Sequence, residues 1–143
     1  MQVADARREL ARIGIDVLAG AAVGTIEDLA DRRPLRSYPV SDFTGLAAAR
    51  ADRDVQVLDA RRHDERRQKY VPGSLHIPIH ELPARSDEVP DGEVWIYCGS
   101  GYRASIAASQ LDRVGRRVVL VDDDYDNAAK VGFEAEPAAS TAR

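Results

Sequence analysis

The 143-residue sequence has a single cysteine, Cys98, so no disulfide bond can form within the chain. It has no apolar run near the roughly 20 residues that a transmembrane helix requires, and its first residues lack the basic, apolar and small-residue order of a signal peptide. These absences predict a soluble protein of the reducing cytoplasm with no membrane partner. A formal net charge of −4 argues against a nucleic-acid partner, because phosphate recognition needs a basic surface.

Patterns that would indicate repeats or a metal site are also missing. No segment repeats along the chain. The densest basic run, residues 61–69, also contains two acidic residues, which is typical of a solvated helical face. No pair among His63, His76 and His80 combines a metal-ligand spacing with further ligands, so we expect no metal site. For His76, which falls in a predicted strand, we expect a structural hydrogen bond.

What is present is an alternation of strand and helix patterns from Tyr38 onward. Five short apolar runs predict strands, and they are YPV at 38–40, VQVLDA at 55–60, LHIPI at 75–79, EVWIY at 93–97 and RRVVLV at 116–121. Helical patterns between such runs predict an α/β domain, with a mostly parallel sheet that is covered by helices on both faces.

Several local signals mark the helices and loops of this domain. Ser41 is the candidate N-cap of the first helix. The polar segment 83–92, rich in proline, predicts a surface loop. A helix that begins near Arg103 is expected to end at Gly115, and a turn with a short helix is expected over 122–132.

The first quarter of the chain has a different character. Helical patterns at 4–13 and near 25–31 are separated by glycine-containing loops, with no core of their own. We therefore predict an N-terminal extension over residues 1–37, one domain over 38–137 and a frayed tail over 138–143.

Cys98 lies in VWIYCGSGYRASIAASQL, residues 94–111, where a buried strand passes into a helix. Sites in open α/β sheets lie at this end of the strands. The two glycines of GSGYR permit a tight curl with backbone N–H groups pointing inward. Those groups, the helix N-terminus and Arg103 favour negative charge on sulfur, so we predict that Cys98 is a nucleophile rather than a packed core residue.

The arginine follows five positions after the cysteine, giving Cys-x4-Arg. Tyrosine and dual-specificity phosphatases use a Cys-x5-Arg loop, and rhodanese-type sulfurtransferases use a loop that is one residue shorter. A shorter loop encloses less space and suits a terminal sulfur better than a phosphate group. The spacing therefore favours sulfur chemistry, with a phosphatase or arsenate reductase as the less favoured alternative.

The sequence resembles the rhodanese-like family over about residues 38–137. Four stretches carry the resemblance, and they are VLDARRHDE at 57–65, YVPGSLHIPIHEL at 70–82, VWIYCGSGYRAS at 94–105 and RRVVLV at 116–121. The resemblance implies a rhodanese-like α/β fold without a cofactor. It also implies that Cys98 takes a sulfane sulfur from thiosulfate or a low-molecular-weight persulfide and passes it to a thiol or cyanide.

The resemblance also assigns roles to individual residues. Cys98 would carry the sulfur, and Arg103 would hold an anionic donor or the loop itself. Asp59 and Arg61 would form a structural ion pair. Tyr102 would shape the mouth of the pocket or lie partly exposed. The N–H groups expected to surround the persulfide are those of Gly99, Ser100, Gly101, Tyr102 and Arg103.

Departures from the family pattern leave a rival interpretation open. Gly99 stands where many members have a cation, and Asp123 and Asp124 replace paired glycines on a loop expected near the site, so thiosulfate should bind less well. The rival is a non-catalytic module that binds sulfur or a partner. Residues 9–24 resemble a segment of proteins that fuse a metallo-β-lactamase domain to rhodanese domains, which implies such a fused domain or partner.

Overall fold

The computed structural model describes residues 2–135, which form two compact units divided between Ser37 and Tyr38. The first unit contains helix α1, Val3–Arg12, and helix α2, Ile26–Ala30, both as predicted. A capping box begins α2, because the Thr25 side chain accepts from the Asp28 N–H while the Asp28 side chain accepts from the Thr25 N–H. Neither helix contains a buried residue.

The second unit is built on a five-stranded, fully parallel sheet, in the order β1-β5-β4-β2-β3. The strands are β1 Val40–Ser41, β2 Gln56–Asp59, β3 Leu75–His76, β4 Glu93–Tyr97 and β5 Arg117–Val121. The predicted parallel sheet is thus confirmed. The predicted strand at 75–79 is shorter, because Pro78 has no N–H to continue the ladder.

Up to residue 135, five α-helices accompany this sheet. They are α3 Phe43–Asp52, α4 His63–Gln68, α5 Leu82–Arg85, α6 Tyr102–Arg113 and α7 Asp126–Lys130. Ser41 is not the N-cap of α3, since it belongs to β1; the Asp42 side chain accepts from the Gly45 N–H at 2.7 Å instead. The predicted loop at 83–92 is also partly helical, because Pro83 lies in the first turn of α5, where its missing N–H costs nothing.

Helices cover both faces of the sheet. Central strand β4 shows this most clearly, because its successive side chains alternate between two buried clusters. Ile96 packs in the cluster that contains the buried face of α6, while Trp95 and Tyr97 pack with the buried face of α3. Cys98 continues the alternation and lies in the α6 cluster. The sulfur is therefore on the α6 side of the sheet.

The last described residues return to the domain. Tyr70 and Ala135 form an antiparallel bridge in which each N–H donates to the other carbonyl at 2.9 Å. The predicted frayed tail, 138–143, lies outside the described residues. Within residues 2–135, no helix has both the length and the apolar character needed to cross a membrane.

Candidate active site

The loop after β4 curls through a glycine that the geometry requires. Cys98 directly follows β4, and Gly101 precedes α6 with φ of 86°, a left-handed conformation that side chains rarely adopt. A Cβ at position 101 would lie 2.2 Å from Oδ1 of Asp122. Gly101 therefore allows the tight turn and also allows Asp122 to lie against the loop.

The Cys98 sulfur is held at the start of α6. Its Sγ accepts a hydrogen bond from the Ala104 N–H at 3.3 Å, and the residue is only 1% exposed. N–H groups in the first turn of a helix have no helical acceptor and carry partial positive charge. Ala104 was not among the donors predicted from the sequence, although the predicted helix start pointed to this turn.

The loop also presents a run of free backbone donors. Within residues 2–135, no hydrogen bond uses the N–H groups of the five residues from Gly99 to Arg103. Consecutive N–H groups without acceptors are the usual composition of an anion-binding loop. These donors are the five expected from the sequence to surround a persulfide, and that role stays a prediction.

Arg103 is engaged by a carboxylate rather than free. Its Nη1 and Nη2 donate to the two carboxylate oxygens of Glu65 at 2.6 and 2.8 Å. The hydrogen bonds from Arg103 lower the pKa of Glu65 to about 2, and those to Glu65 raise the pKa of Arg103. The pair joins α4 to α6, and both terminal nitrogens of the Arg103 guanidinium are bound to Glu65.

Asp59 and Arg61 form a buried bidentate ion pair beneath the site. Asp59 is fully buried, and Arg61 donates to its two oxygens at 2.9 and 2.8 Å. Burial would raise the pKa of Asp59, but hydrogen bonds and charge from Arg61, with a 2.7 Å hydrogen bond from Tyr97, lower it overall. Arg66 also lies 3.3 Å from Asp59. The expected solvated face is therefore wrong for Arg61 and Arg66, which turn inward.

A tyrosine links this ion pair to the Cys98 loop. The guanidinium carbon of Arg61 lies 3.8 Å from the centre of the Tyr125 ring, a cation–π contact. The Tyr125 N–H donates to the Gly99 carbonyl at 2.9 Å. No sequence pattern pointed to Tyr125, because the contact depends on how the segment after β5 folds back over the sheet edge.

A cleft of about 330 Å³ adjoins the loop at Gly99. Its walls include both charged and aromatic side chains, among them those of Arg61, Lys69, Tyr125, Asp126 and Glu134. Lys69 Nζ lies 3.1 Å from Glu134 Oε1. The cleft is therefore polar and lies beside the residue that follows Cys98.

The expectation of a rim carboxylate at Asp123 needs correction. The carboxylate of Asp123 does not face the loop, because it accepts from the Phe43 N–H at 3.1 Å and from Asn127 at 2.6 Å. Asp124 Oδ1 accepts from the Asp126 N–H at 3.0 Å. Asp122 and Asp126 lie near the loop, as does Glu65, which is paired with Arg103.

Side chains at the periphery also have defined places. The Tyr102 side chain is 75% exposed, so its ring belongs to the outer surface. His76 Nε2 lies 2.8 Å from the Arg61 carbonyl, in agreement with the structural hydrogen bond predicted for it. His63 and His80 both approach Glu81, at 2.6 and 3.5 Å. In the described part of the chain, no three acidic, histidine or cysteine side chains form a metal-binding group.

Comparison with known proteins gives relatives that handle sulfur. Over 81 residues the chain is 38% identical to a sulfurtransferase of Allochromatium vinosum, an alignment that covers 55% of this chain and 76% of that protein. A proposed sulfur carrier protein of Bacillus subtilis, YrkF, is 32% identical over 71 residues, which are 49% of this chain and 38% of YrkF. The chain thus spans well under half of the length of YrkF.

Solved structures share the fold. A rhodanese-related protein of Thermoplasma volcanium superposes with a TM-score of 0.63 at 22% identity, over 70% of this chain and all of that one. A rhodanese-like domain protein of Staphylococcus aureus superposes with a TM-score of 0.61 at 19% identity, over 70% of this chain and 99% of that one. The family profile of the Rhodanese-like domain matches residues 43–130. The chain therefore belongs to the rhodanese-like domain family.

Proposed function

We propose that this protein is a sulfurtransferase that carries a sulfane sulfur on Cys98 as a persulfide. The observation that supports this most is the placement of the Cys98 sulfur in the first turn of α6, beside five backbone N–H groups with no acceptor among residues 2–135. Such donors stabilise a negatively charged terminal sulfur without a metal or a base. The sulfurtransferase and the proposed sulfur carrier among the relatives point to the same chemistry.

The reaction has two displacement steps. The Cys98 thiolate attacks the terminal sulfur of a donor, thiosulfate or a low-molecular-weight persulfide; the new S–S bond forms as the donor's S–S bond breaks, and sulfite or a thiolate leaves. A thiolate or cyanide then attacks the outer sulfur of the persulfide. The Cys98 thiolate leaves, and the product is a new persulfide or thiocyanate. No external oxidant or reductant is needed in either step.

The surrounding residues hold the loop in place for this chemistry. The N–H groups of Gly99, Ser100 and Gly101 would receive the outer sulfur together with those of Tyr102 and Arg103. The Arg103 pair with Glu65 fixes the helix side of the loop, and the Tyr125 contact fixes the strand side. A reducing compartment such as the cytoplasm suits this role, because thiol acceptors are reduced there.

One observation favours the rival, a non-catalytic module with the same fold. Cys98 is only 1% exposed and packs within the apolar cluster on the α6 side of the sheet. A donor must reach a sulfur that offers almost no surface, whereas a core cysteine needs no access. The two functions therefore differ in whether Cys98 reacts at all.

A turnover assay decides between them. Thiocyanate formed from cyanide, with glutathione persulfide or thiosulfate as the sulfur donor, is measured for the native chain and for Cys98→Ser. Turnover that Cys98→Ser abolishes supports sulfur transfer. The absence of turnover with both donors favours the non-catalytic module. If the chain instead hydrolyses p-nitrophenyl phosphate and Cys98→Ser does not, a phosphatase is favoured.

We also propose that residues 1–37 connect this domain to a metallo-β-lactamase-type domain or partner. The support is the resemblance of residues 9–24 together with exposed apolar side chains in that segment, including Val17 at 89% and Val23 at 81%. Co-elution of the full chain with such a domain, weakened by the double variant Val17→Asp and Val23→Asp, would support it. If the native chain and the double variant each elute at the same volume with and without that domain, the proposal is wrong.

A further inference from the structure

We propose that the cleft beside Gly99 selects sulfur acceptors that carry an ammonium group over acceptors that carry a carboxylate, and that Asp126 provides the selection. This inference rests on the proposed sulfur transfer, because it concerns the small thiol that takes sulfur from Cys98. It follows from the charges that line the cleft.

Each cation in the cleft wall is already paired with a carboxylate. Arg61 is paired with the buried Asp59 through two hydrogen bonds, at 2.9 and 2.8 Å. Lys69 lies 3.1 Å from Glu134, another residue of the cleft wall. An anionic thiol entering the cleft would therefore have to compete with an existing ion pair for either cation.

The loop itself offers no free cationic side chain. Both of the Glu65 carboxylate oxygens hold Arg103. Gly99 has no side chain, and a Cβ added there would lie 3.1 Å from Nη2 of Arg103. The positive potential of the loop therefore comes from backbone N–H groups, which act on a terminal sulfur at short range and weakly on a distant carboxylate.

Two carboxylates near the loop remain uncompensated. Asp126 lines the cleft, and among residues 2–135 its side chain has no cationic partner. Asp122 lies against Gly101 at the other end of the loop, likewise without a cationic partner in the described part of the chain. Because Asp126 is a carboxylate without a cationic partner in the described part of the chain, a thiol with an ammonium group should be attracted to the cleft and one with a carboxylate should be repelled.

The test uses three small thiols of different charge: cysteamine with an ammonium group, 2-mercaptoethanol with none and 3-mercaptopropionate with a carboxylate. The persulfide form of the full chain is prepared with glutathione persulfide. The kcat/KM for sulfur transfer to each thiol is then measured at low salt. Since the thiols differ in intrinsic reactivity, each is compared between native protein and Asp126→Asn.

Asp126→Asn should lower kcat/KM for cysteamine by about threefold, the effect of losing one exposed charge interaction. It should raise the value for 3-mercaptopropionate by a similar factor and leave 2-mercaptoethanol unchanged. Both effects should shrink as salt is added, because exposed charges are screened. Glu134→Gln, which frees Lys69, should also raise the value for 3-mercaptopropionate.

Asp87→Asn is the matched control, since it removes one exposed carboxylate that lines a separate cavity. It should change none of the three values. If Asp126→Asn changes kcat/KM by the same factor for all three thiols, the inference is wrong. It is also wrong if Asp87→Asn shows the same dependence on thiol charge as Asp126→Asn. If no persulfide forms on the native chain, sulfur transfer itself fails, and the inference falls with it.

Discussion

The two carboxylate oxygens of Glu65 receive the two Nη donors of Arg103, at 2.6 and 2.8 Å, from a position 38 residues earlier in the chain. This bidentate pair joins α4 to the first turn of α6, where the Cys98 sulfur is bound. Arginine–carboxylate pairs of this geometry hold orientation as well as charge. The loop around Cys98 therefore depends on a residue that never touches the sulfur.

Glu65→Gln should loosen this loop more than it harms the fold. The pair is about a quarter exposed, so we expect a loss of about 1 kcal/mol in the free energy of unfolding, measured in urea. Sulfur transfer should fall about tenfold, because the loop N–H groups lose their fixed positions. Asp64→Asn, which breaks an exposed pair with Arg62 on the same helix, is the control and should change neither quantity appreciably. Equal effects of the two variants would argue against the loop-holding role.

The same pair predicts how stability depends on pH. Folding lowers the pKa of Glu65 from 4.5 to about 2, so the folded state favours the ionised form. The contribution of the pair is complete above about pH 4.5 and is lost as the pH falls toward 2. The stability difference between native protein and Glu65→Gln should accordingly be constant from pH 7 to 5 and shrink below that. A difference that stays constant down to pH 3 would contradict this assignment.

Gly101→Ala should damage the site through both its backbone and its new methyl group. Position 101 has φ of 86°, and the added Cβ would lie 2.2 Å from Oδ1 of Asp122. Gly115→Ala is a close control, because Gly115 has φ of 83° but no atom within 4 Å of the added Cβ. Both variants should lose about 1 kcal/mol of stability from backbone strain. Only Gly101→Ala should lose most of its sulfur transfer, and an active Gly101→Ala would show that the observed curl is not required.

Asp59→Asn should destabilise the fold more than any of the other substitutions. It removes the charge partner of Arg61 in a site where Asp59 is fully buried and Arg61 is 3% exposed. An unpaired buried charge costs about 3–5 kcal/mol, which thermal or urea unfolding would detect readily. A loss below about 1 kcal/mol would mean that Arg61 finds another partner or reaches water.

Cys98→Ser separates a chemical role from a packing role. The serine hydroxyl has nearly the shape of the thiol and can accept the hydrogen bond from the Ala104 N–H. The free energy of unfolding should therefore change by about 1 kcal/mol or less. Sulfur transfer should be abolished, because a persulfide does not form on oxygen. A large drop in Tm would instead support the interpretation of Cys98 as a core residue.

Much of the framework followed from local sequence patterns. The apolar runs at 93–97 and 116–121 became β4 and β5, and the parallel sheet followed from their alternation with helices. The N-cap of α3 was missed because Ser41 and Asp42 are both good capping residues, and only the register of β1 with β5 decides between them.

The supports of the site were harder to predict. The Glu65 pair with Arg103 and the Tyr125 contact with Arg61 join segments that are distant in the chain, and each depends on how helices pack over the sheet edge. Sequence also pointed to Asp123 as a rim carboxylate, but its neighbours are the Phe43 N–H and Asn127. Such choices among adjacent acidic residues depend on loop geometry, which local patterns do not encode.

The most direct test of sulfur transfer is the intact mass of the native chain after incubation with glutathione persulfide and, separately, with thiosulfate. We predict a gain of one sulfur atom that cyanide removes and that Cys98→Ser does not acquire. The gain should be greater with the low-molecular-weight persulfide than with dianionic thiosulfate, given the paired cations and given that Asp126 has no cationic partner within residues 2–135. An unchanged mass with both donors, in a folded protein whose thiol reacts after denaturation, would contradict the central claim.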